Sequence, residues 1–288
     1  MWREHFVLSK KDNGLIAWNN EIITDIGGFI TIDYNELWNN DASLEYLYNE
    51  FDKYGIVKIK NGPKELDTIQ TLGRHIACNV YSTMHGDSFK VERVDDAVNP
   101  AYTEEPLWVH TDLCHLKEMP DYFLFHCIIN ETHNTGNSVY TDGFNIANIM
   151  KHEHNYYYNL LTKYKVPFRD HQNNWDFYQE RYIIELNEHN DIEYIHFNEG
   201  TRYSVNWDMD NNIKHDIYQG IKIFEGLSHD TINQYNFWME PGEITLFNNR
   251  RILHGRQIVK GKRLMQGTYI LKDHLKAKQR AIQNRLIQ

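Results

Sequence analysis

The sequence places four polar residues inside short apolar segments that read as β-strands: His110, Asp112, His254 and Arg263. Within Leu107–Leu113 the histidine and the aspartate are two residues apart, so on a strand their side chains point to the same side of a sheet. Two imidazoles and one carboxylate on one face of a metal leave coordination positions open, which is the arrangement that holds non-haem Fe(II). These residues form such a site only if the fold brings them together.

The C-terminal segments predict where the distal histidine lies. Leu253–Val259 and Arg263–Leu271 read as strands, and Lys260-Gly261-Lys262 reads as the turn of a hairpin between them. A hairpin would place His254 on the strand that pairs with Arg263. A strand can carry a cation into a barrel only if an anion waits there, because an unpaired buried charge is very costly. That anion is either an Asp or Glu of the chain or a carboxylate co-substrate such as 2-oxoglutarate.

The His-x-Asp signal is weak by itself, since the chain has 16 histidines. His110 alone would more often be a core histidine beside a capping aspartate. The same spacing also occurs at His85-Gly86-Asp87 and at His189-Asn190-Asp191. Both of these read as turns, because one has a central glycine and the other lies in a polar stretch. A turn does not hold two ligands rigidly, so the metal hypothesis rests on His110.

The rest of the chain predicts a mainly β fold with flanking helices, a double-stranded β-helix or jelly-roll barrel. We expect a single catalytic domain over 1–288, in which 1–105 is a mixed α/β lead-in packed on the barrel, 106–271 is the jelly-roll core with a helical insertion, and 272–288 is a C-terminal helix. The expected local elements are a helix over Ser43–Asp52 capped by Asp41 or Ser43, a strand over Tyr54–Lys60, a helix over Lys64–Cys78, the helical insertion from Gly143 to about Tyr164, and a strand from Pro241 to Phe247 followed by a turn at Asn248-Asn249.

Composition excludes several classes of protein. The net charge of −10 argues against nucleic acid or an anionic membrane as a partner, because phosphate binding relies on clustered Lys and Arg. The three cysteines lack CxxC spacing, which argues against a disulfide scaffold or a zinc knuckle. Neither a signal peptide nor a membrane span is visible in the sequence. We therefore expect a cytoplasmic enzyme with a small-molecule substrate.

Several motifs in order along the chain resemble the gamma-butyrobetaine hydroxylase and trimethyllysine hydroxylase branch of the Fe(II)/2-oxoglutarate dioxygenases, which is related to taurine dioxygenase. The resemblance extends from about Tyr54 to Leu271. The matching stretches are Asn99–Thr103, Leu107–Leu113, Phe125-His126-Cys127, Asp142-Gly143-Phe144, Phe197-Asn198, the long run Phe247–Arg256, and Arg263-Leu264-x-x-Gly267-x-Tyr269. No Cys/His cluster precedes Tyr54, so no counterpart of the N-terminal zinc-binding domain of the animal butyrobetaine enzymes is expected.

The resemblance implies cofactors and roles. His110, Asp112 and His254 would ligate Fe(II), and Arg263 would pair with the distal carboxylate of 2-oxoglutarate. O2 would be consumed, with succinate and CO2 as products and a hydroxyl group placed on a C–H bond of the substrate. The intact Asp112 argues against halogenation, in which this carboxylate is typically replaced by Ala or Gly. Homodimers are common in this branch, and the sequence does not decide the oligomeric state.

The resemblance also suggests substrate residues. Quaternary ammonium groups are held in aromatic cages, each ring contributing about 0.5–2 kcal/mol. Tyr102 and Tyr269 match two cage positions, Phe89 stands where the family has Trp, and His85 stands where it has Tyr. Asn99 and Asn198 match polar positions near the substrate. Tyr102 and Tyr269 could equally be packing residues of the barrel, and the asparagines solvated turn residues.

Three functions remain open. The first is hydroxylation of a small amine or amino acid such as a trimethyllysine-like or butyrobetaine-like compound. The second keeps the same cofactors but leads to desaturation or ring formation in a natural-product intermediate. The third is a barrel that binds metal or ligand without turnover, which the presence of all three ligands and Arg263 disfavours.

Overall fold

The computed structural model of the chain describes residues 14–92, 103–132, 135–205 and 208–287. Its strands are β1 (Thr31–Asp33), β2 (Ile56–Lys60), β3 (Phe89–Glu92), β4 (Leu107–His110), β5 (Tyr122–Asn130), β6 (Ser138–Asp142), β7 (Lys165–Gln172), β8 (Trp175–Tyr182), β9 (Ile184–Leu186), β10 (Ile192–Ile195), β11 (Gln234–Phe237), β12 (Ile244–Asn248), β13 (Ile252–Arg256) and β14 (Arg263–Ile270). Its helices are α1 (Asn20–Asp25), α2 (Glu36–Asn39), α3 (Asp41–Tyr54), α4 (Thr68–Ile76), α5 (Gly143–Glu153), α6 (Asn155–Lys163), α7 (Asn211–His229) and α8 (Lys272–Ile287).

Two sheets face each other and form the barrel. The larger sheet has six strands in the order β1-β2-β12-β5-β14-β3, and the smaller has four in the order β11-β6-β13-β4. Neighbouring strands are antiparallel except for β1 and β2, which are parallel. An aromatic core fills the space between the sheets, with Phe123, Phe247 and Tyr269 from the larger and Tyr140 from the smaller. The predicted mainly β jelly-roll with flanking helices is confirmed.

Helices cover the outer faces of both sheets. Strand β5 shows why, since Phe123 packs in the aromatic core while the next residue, Leu124, packs on the other face against helices. Helices α3, α4 and α8 cover the larger sheet, and α5, α6 and α7 cover the smaller. A strand buried on both faces has a nearly continuous apolar run, which is how β5 reads. None of the described helices is long and apolar enough to cross a membrane.

The C-terminal strands differ from the predicted hairpin. Strand β13 pairs with β6 and β4 in the smaller sheet, whereas β14 pairs with β5 and β3 in the larger. The segment between them crosses from one sheet to the other beside the connection from β5 to β6, and Gly136 N donates to Ile258 O at 2.7 Å. His254 and Arg263 therefore stand on different sheets. The hairpin prediction was wrong because a local turn signal does not specify which sheet the next strand joins.

Other predicted elements are present with shifted ends. The helix expected over Ser43–Asp52 is α3, and its N-cap is Asn40, whose side chain accepts a hydrogen bond from Ala42 N at 2.9 Å, instead of Asp41 or Ser43. The strand after it begins at Ile56 instead of Tyr54, because α3 continues through Tyr54 and Gly55 caps it in the left-handed conformation. The helix expected over 64–78 is the shorter α4, the helical insertion is two helices, α5 and α6, and the C-terminal helix is α8.

Helix α7 is missing from the sequence-based prediction, although it has 19 residues. It begins after Asp210, whose carboxylate accepts hydrogen bonds from the backbone of Asn212 and Ile213. Its buried residues include Ile217, Ile221 and Phe224, which recur at helical spacing. The signal was present in the sequence but was masked by the polar residues that alternate with it.

A buried ion pair joins the N-terminal segment to the barrel. The Arg251 guanidinium donates to both carboxylate oxygens of Asp142, at 3.0 and 2.7 Å, and also to the carbonyls of Lys53 and Ile16. Both side chains of the ion pair are almost fully buried. Gly55 lies so close that a Cβ there would be 2.9 Å from Arg251 Cδ. Each of the three guanidinium nitrogens of Arg251 therefore has a hydrogen-bond acceptor, and the charge has a carboxylate partner, as burial of a charge requires.

We predict that Arg251→Met lowers the free energy of unfolding by about 3–5 kcal/mol, because Asp142 would be left buried without its partner. Urea unfolding followed by circular dichroism measures the loss. The matched control is Arg285→Met, which breaks an equally bidentate pair with Asp41, at 2.8 and 2.9 Å, on the surface. That control should cost about 1 kcal/mol or less. Equal losses in the two variants would contradict the structural role of the buried pair.

Candidate metal centre

His110, Asp112 and His254 meet inside the barrel. His110 ends β4 and is the direct cross-strand neighbour of His254 on β13, with ring centroids 4.6 Å apart. Asp112 follows the end of β4, and its two oxygens lie 3.2 Å from His110 Nε2 and 3.5 Å from His254 Nε2. The three potential ligand atoms are all within 4.8 Å of one another. Ligands about 2.1 Å from a metal and at right angles are about 3 Å apart, so the donor set fits one face of a metal ion.

The charges of the cluster favour a cation. Burial tends to raise the pKa of Asp112, but the charge of His254 and the hydrogen bonds from both histidines outweigh it and hold that pKa well below its usual range. Burial tends to lower the pKa of His110, but Asp112 outweighs it and raises the pKa. For His254 burial prevails and lowers the pKa. The Asp112 carboxylate is thus kept in its charged form by positive charge beside it, which a bound metal cation would supply.

The backbone of the His-Thr-Asp segment is fixed from several directions. Asn249, which is fully buried, accepts a hydrogen bond from Asp112 N at 2.7 Å and donates to Asp112 O at 3.1 Å. Thr111 N donates to Phe197 O at 2.7 Å, and Phe197 N donates back to the Thr111 hydroxyl at 3.0 Å. Asn198 donates to Thr111 O at 3.2 Å. These bonds preorganise Asp112 beyond the end of its strand, where the sheet itself cannot do so.

Tyr269 connects the larger sheet to the cluster. Its hydroxyl donates to Asp112 Oδ2 at 2.8 Å, and Oδ2 is the oxygen nearer His254. The tyrosine thus orients a ligand carboxylate, as hydrogen-bonded neighbours of metal ligands commonly do. Its ring packs in the aromatic core. The sequence suggested either a cage residue or a packing residue, and neither alternative predicted the hydrogen bond from its hydroxyl to Asp112.

Arg263 is buried and has no carboxylate within 4 Å among the residues that the structure describes. Its guanidinium donates to the Ser138 hydroxyl at 3.3 Å and lies 5.8 Å from the centre of the Phe125 ring, while its Nε has no hydrogen-bond partner. Burial, and then the charge of Arg256, lower the pKa of Arg263 to about 10, so the group is still protonated at neutral pH. A buried cation with one weak partner is the feature expected of an anion site.

Ser138, the hydrogen-bond partner of Arg263, shows which part of the smaller sheet the guanidinium reaches. Ser138 lies two residues before Tyr140 on β6, and Tyr140 is the direct cross-strand neighbour of His254. Two residues of a strand span about 7 Å. The guanidinium reaches across from the larger sheet to Ser138, so its partner on the smaller sheet lies about 7 Å along β6 from the residue opposite His254.

Three of the residues assigned to the substrate form an aromatic wall, which we define as His85, Phe89 and Tyr269. Ring centroids are 5.6 Å apart for His85 and Phe89 and 5.4 Å apart for Phe89 and Tyr269. Gly267 lets the wall close, because a Cβ there would lie 2.6 Å from the Phe89 ring. Tyr102 and Asn99 lie outside the described residues. Asn198 uses both ends of its amide on backbone groups, Thr111 O and Thr201 N.

The two competing His-x-Asp sequences are in turns, as predicted. Gly86 has φ 86° and exchanges backbone hydrogen bonds with Thr83, and Asn190 has φ 64°. Only one group of three His, Cys, Asp or Glu side chains in the described part of the chain has metal-ligand spacing, the cluster of His110, Asp112 and His254. Sequence reasoning missed Asn249, which it treated as a turn residue, and Ser138, because their importance depends on contacts far apart in the chain.

The chain is similar in sequence to gamma-butyrobetaine dioxygenases and in structure to a taurine dioxygenase. Human gamma-butyrobetaine dioxygenase is 28% identical over 263 residues, covering 89% of this chain and 67% of the human protein. The gamma-butyrobetaine dioxygenase of a Pseudomonas species is 28% identical over 240 residues, covering 82% of this chain and 61% of that protein. The chain therefore spans about two thirds of the length of these relatives. Among solved structures, a taurine dioxygenase from Burkholderia xenovorans superposes with a TM-score of 0.62 at 10% identity, covering 84% of this chain and 87% of that one, which supports the fold.

A family model described as taurine catabolism dioxygenase TauD, TfdA family, matches residues 20–269. This span includes the metal cluster, Arg263 and the whole barrel. Members of the family use Fe(II) and 2-oxoglutarate, so the predicted cofactors and enzyme class are confirmed at the level of the family. The chain belongs to the TauD/TfdA family of Fe(II)- and 2-oxoglutarate-dependent dioxygenases.

Proposed function

We propose that the chain hydroxylates a small amine or amino acid, with His110, Asp112 and His254 as the iron ligands and Arg263 as the residue that binds the distal carboxylate of 2-oxoglutarate. The observation that carries the proposal is the pairing of a two-histidine, one-carboxylate cluster with a buried arginine whose partner Ser138 lies about 7 Å along β6 from the residue opposite His254. Either feature alone has a structural explanation. Together they leave both a metal and a dianion to be supplied from outside the chain.

The cluster supports iron binding through charge and geometry. Fe(II), when bound together with 2-oxoglutarate, supplies the O2-dependent oxidation. Asp112 contributes the negative charge that a cation requires, and His110 is oriented by a hydrogen bond between its Nδ1 and Trp108 O at 2.8 Å. With Nδ1 as donor, Nε2 is left free as the ligand atom. Tyr269 and Asn249 hold the carboxylate and the backbone of Asp112 in place.

The guanidinium of Arg263 supports binding of 2-oxoglutarate. A planar guanidinium presents paired donors that match a carboxylate, and its charge is uncompensated by any described acid within 4 Å. The surrounding core excludes water, which strengthens the attraction between the two charges. The carboxylate and keto groups at the other end of 2-oxoglutarate would then lie at the open face of the metal cluster.

The aromatic wall supports a substrate that carries an amine. Its π faces attract a cation, and the gamma-butyrobetaine dioxygenases that this chain resembles are named for a cationic substrate. We assign the wall of His85, Phe89 and Tyr269 to substrate binding, with Tyr102, Asn99 and Asn198 as further substrate residues. The two departures from the family pattern, His85 and Phe89, weaken the attraction for a quaternary ammonium group.

Substitution of a ligand tests the metal assignment. Asp112→Ala should abolish Fe(II)-dependent formation of succinate from 2-oxoglutarate and the visible absorption of the anaerobic complex with Fe(II) and 2-oxoglutarate. The matched control is Asp191→Ala in the competing His-x-Asp turn, which should leave both signals unchanged. Turnover that survives in Asp112→Ala would show that the wrong pair had been assigned.

Arg263→Gln should raise the 2-oxoglutarate concentration needed for half-maximal succinate formation by roughly a hundredfold or more, because a buried charge pair contributes about 3 kcal/mol or more. The amount of Fe(II) bound should change little. Arg202→Gln is the control, since Arg202 already forms a bidentate pair with Glu199 at 2.7 Å. A similar rise in both variants would argue against a specific role for Arg263.

Tyr269→Phe should keep the aromatic ring but remove the hydrogen bond to Asp112, and should weaken Fe(II) binding by about 10- to 100-fold. Titration with Fe(II) under anaerobic conditions measures the affinity. Tyr48→Phe is the control, because it removes another buried hydroxyl bond, to Ile76 O at 2.8 Å, on the far side of the larger sheet. If Tyr269→Phe binds Fe(II) as the unmodified protein does, the hydroxyl of Tyr269 does not contribute to the metal site.

A further inference from the structure

His115 is a buried polar side chain without a hydrogen bond. It lies three residues after Asp112 and is 4% exposed, and neither ring nitrogen has a partner among the described residues. Leaving a buried donor or acceptor unsatisfied costs about 1–3 kcal/mol. The nearest charged group is Asp170, whose Oδ2 lies 3.9 Å from His115 Nε2. That distance is too long for a hydrogen bond between them.

Asp170 also lacks a cationic partner in the described ranges. It belongs to β7, in the hairpin of β7 and β8, and its carboxylate accepts hydrogen bonds only from the neutral groups Trp175 Nε1 and Gln172 Nε2, both at 3.0 Å. The neighbouring Arg169 is held by Asp176 instead. A carboxylate and an imidazole thus lie 3.9 Å apart without a hydrogen bond between them. That separation allows one donor atom about 2.8 Å from each to form a hydrogen bond with both.

His115 and Asp170 belong to two segments that are joined to each other just after Asp112. The hairpin is fastened to the segment that follows Asp112, because Arg181 donates to the carbonyls of Cys114, Leu116 and Lys117. Burial lowers the pKa of His115, the charges of Asp170 and Asp112 oppose this, and the charge of His85 adds to it. The charges of Asp112, a proposed iron ligand, and of His85, a member of the aromatic wall, therefore both act on His115.

We propose that His115 and Asp170 bind the protonated primary or secondary amine of the substrate, each accepting one of its N–H groups. The inference rests on the proposed function and narrows its substrate class. A carboxylate and an imidazole with its proton on Nδ1 offer two acceptors, and an ammonium group with two or more N–H bonds satisfies both. A quaternary ammonium group has no N–H to donate. It would therefore leave Nε2 of His115 without a hydrogen bond and bring bulky methyl groups against both acceptors.

The test is a methylation series offered to the full chain loaded with Fe(II) and 2-oxoglutarate: lysine and its Nε-monomethyl, dimethyl and trimethyl forms, and 4-aminobutyrate with the same series up to butyrobetaine. Binding is measured by calorimetry without O2, and turnover as substrate-stimulated succinate formation. We expect binding of a primary or secondary amine to be at least tenfold tighter than binding of its trimethyl counterpart. Preference for the trimethyl form, or failure of every amine in the series to bind, overturns the inference.

Variants separate recognition from stability. Asp170→Asn should weaken amine binding by about 100-fold while leaving kcat and the 2-oxoglutarate requirement within about twofold, since a charge-assisted bond is lost. His115→Phe should weaken it as well, and His115→Gln, which keeps an acceptor, should restore part of the affinity. Asp176→Asn, on the same hairpin but paired with Arg169, is the control. Equal effects in Asp176→Asn, or unchanged amine affinity in Asp170→Asn, would contradict the assignment.

The outcome is distinguishable from failure of the proposed function. If the chain does not bind Fe(II) and 2-oxoglutarate at all, the proposed function fails, and the inference fails with it. If the chain binds both but binds the trimethyl compounds best, only the inference about His115 and Asp170 fails.

Discussion

Side chains from both sheets of the barrel contact the carboxylate of Asp112. Asp112 contacts a histidine from each of two paired strands of the smaller sheet and the hydroxyl of Tyr269 from the larger sheet. Its backbone is bonded on both sides by Asn249, which lies between β12 and β13. A buried negative charge with this many donors is stable only while positive charge stays near it. Closing the barrel therefore builds a cation site and fixes its geometry before any metal binds.

Two buried arginines of this barrel differ in how their charge is compensated, and the difference supports the ligand-binding role that we propose for Arg263. Arg251 is bound by a carboxylate and by two carbonyls, so its burial is compensated within the chain. Arg263 has one hydroxyl and an aromatic ring as neighbours and carries a depressed pKa of about 10. The burial of the Arg263 charge is not compensated by any carboxylate within 4 Å among the described residues. Such a residue is best explained by an anion that belongs to the working protein.

The sequence was informative about the site where the signal was local. His110 and Asp112 do lie together, but the predicted reason was wrong, because β4 ends at His110 and Asp112 is held beyond it by Asn249. Turn residues correctly excluded the two other His-x-Asp sequences. The hairpin was wrong because Arg263 joins β5, a partner far away in the chain, and pairing between distant strands leaves no local mark. Asn249 and His115 escaped notice for a related reason. An asparagine in a turn and a histidine in a loop acquire meaning only from the groups that surround them after folding.

Substrate choice in such a site depends on how a cation is recognised. Aromatic faces attract any cation and favour the large, weakly hydrated quaternary group, whereas a carboxylate beside a hydrogen-bond acceptor favours a cation that can donate N–H. This chain combines a wall with a weakened π surface at His85 and Phe89 with two acceptors, His115 and Asp170, that have no cationic partner among the described residues. Desolvating a primary ammonium group requires replacement of its hydrogen bonds with water, which rings alone cannot provide. In our proposal Asp170 of the β7–β8 hairpin and His115 provide them, which would explain together the departure from the family's cage and the unpaired Nε2 of His115.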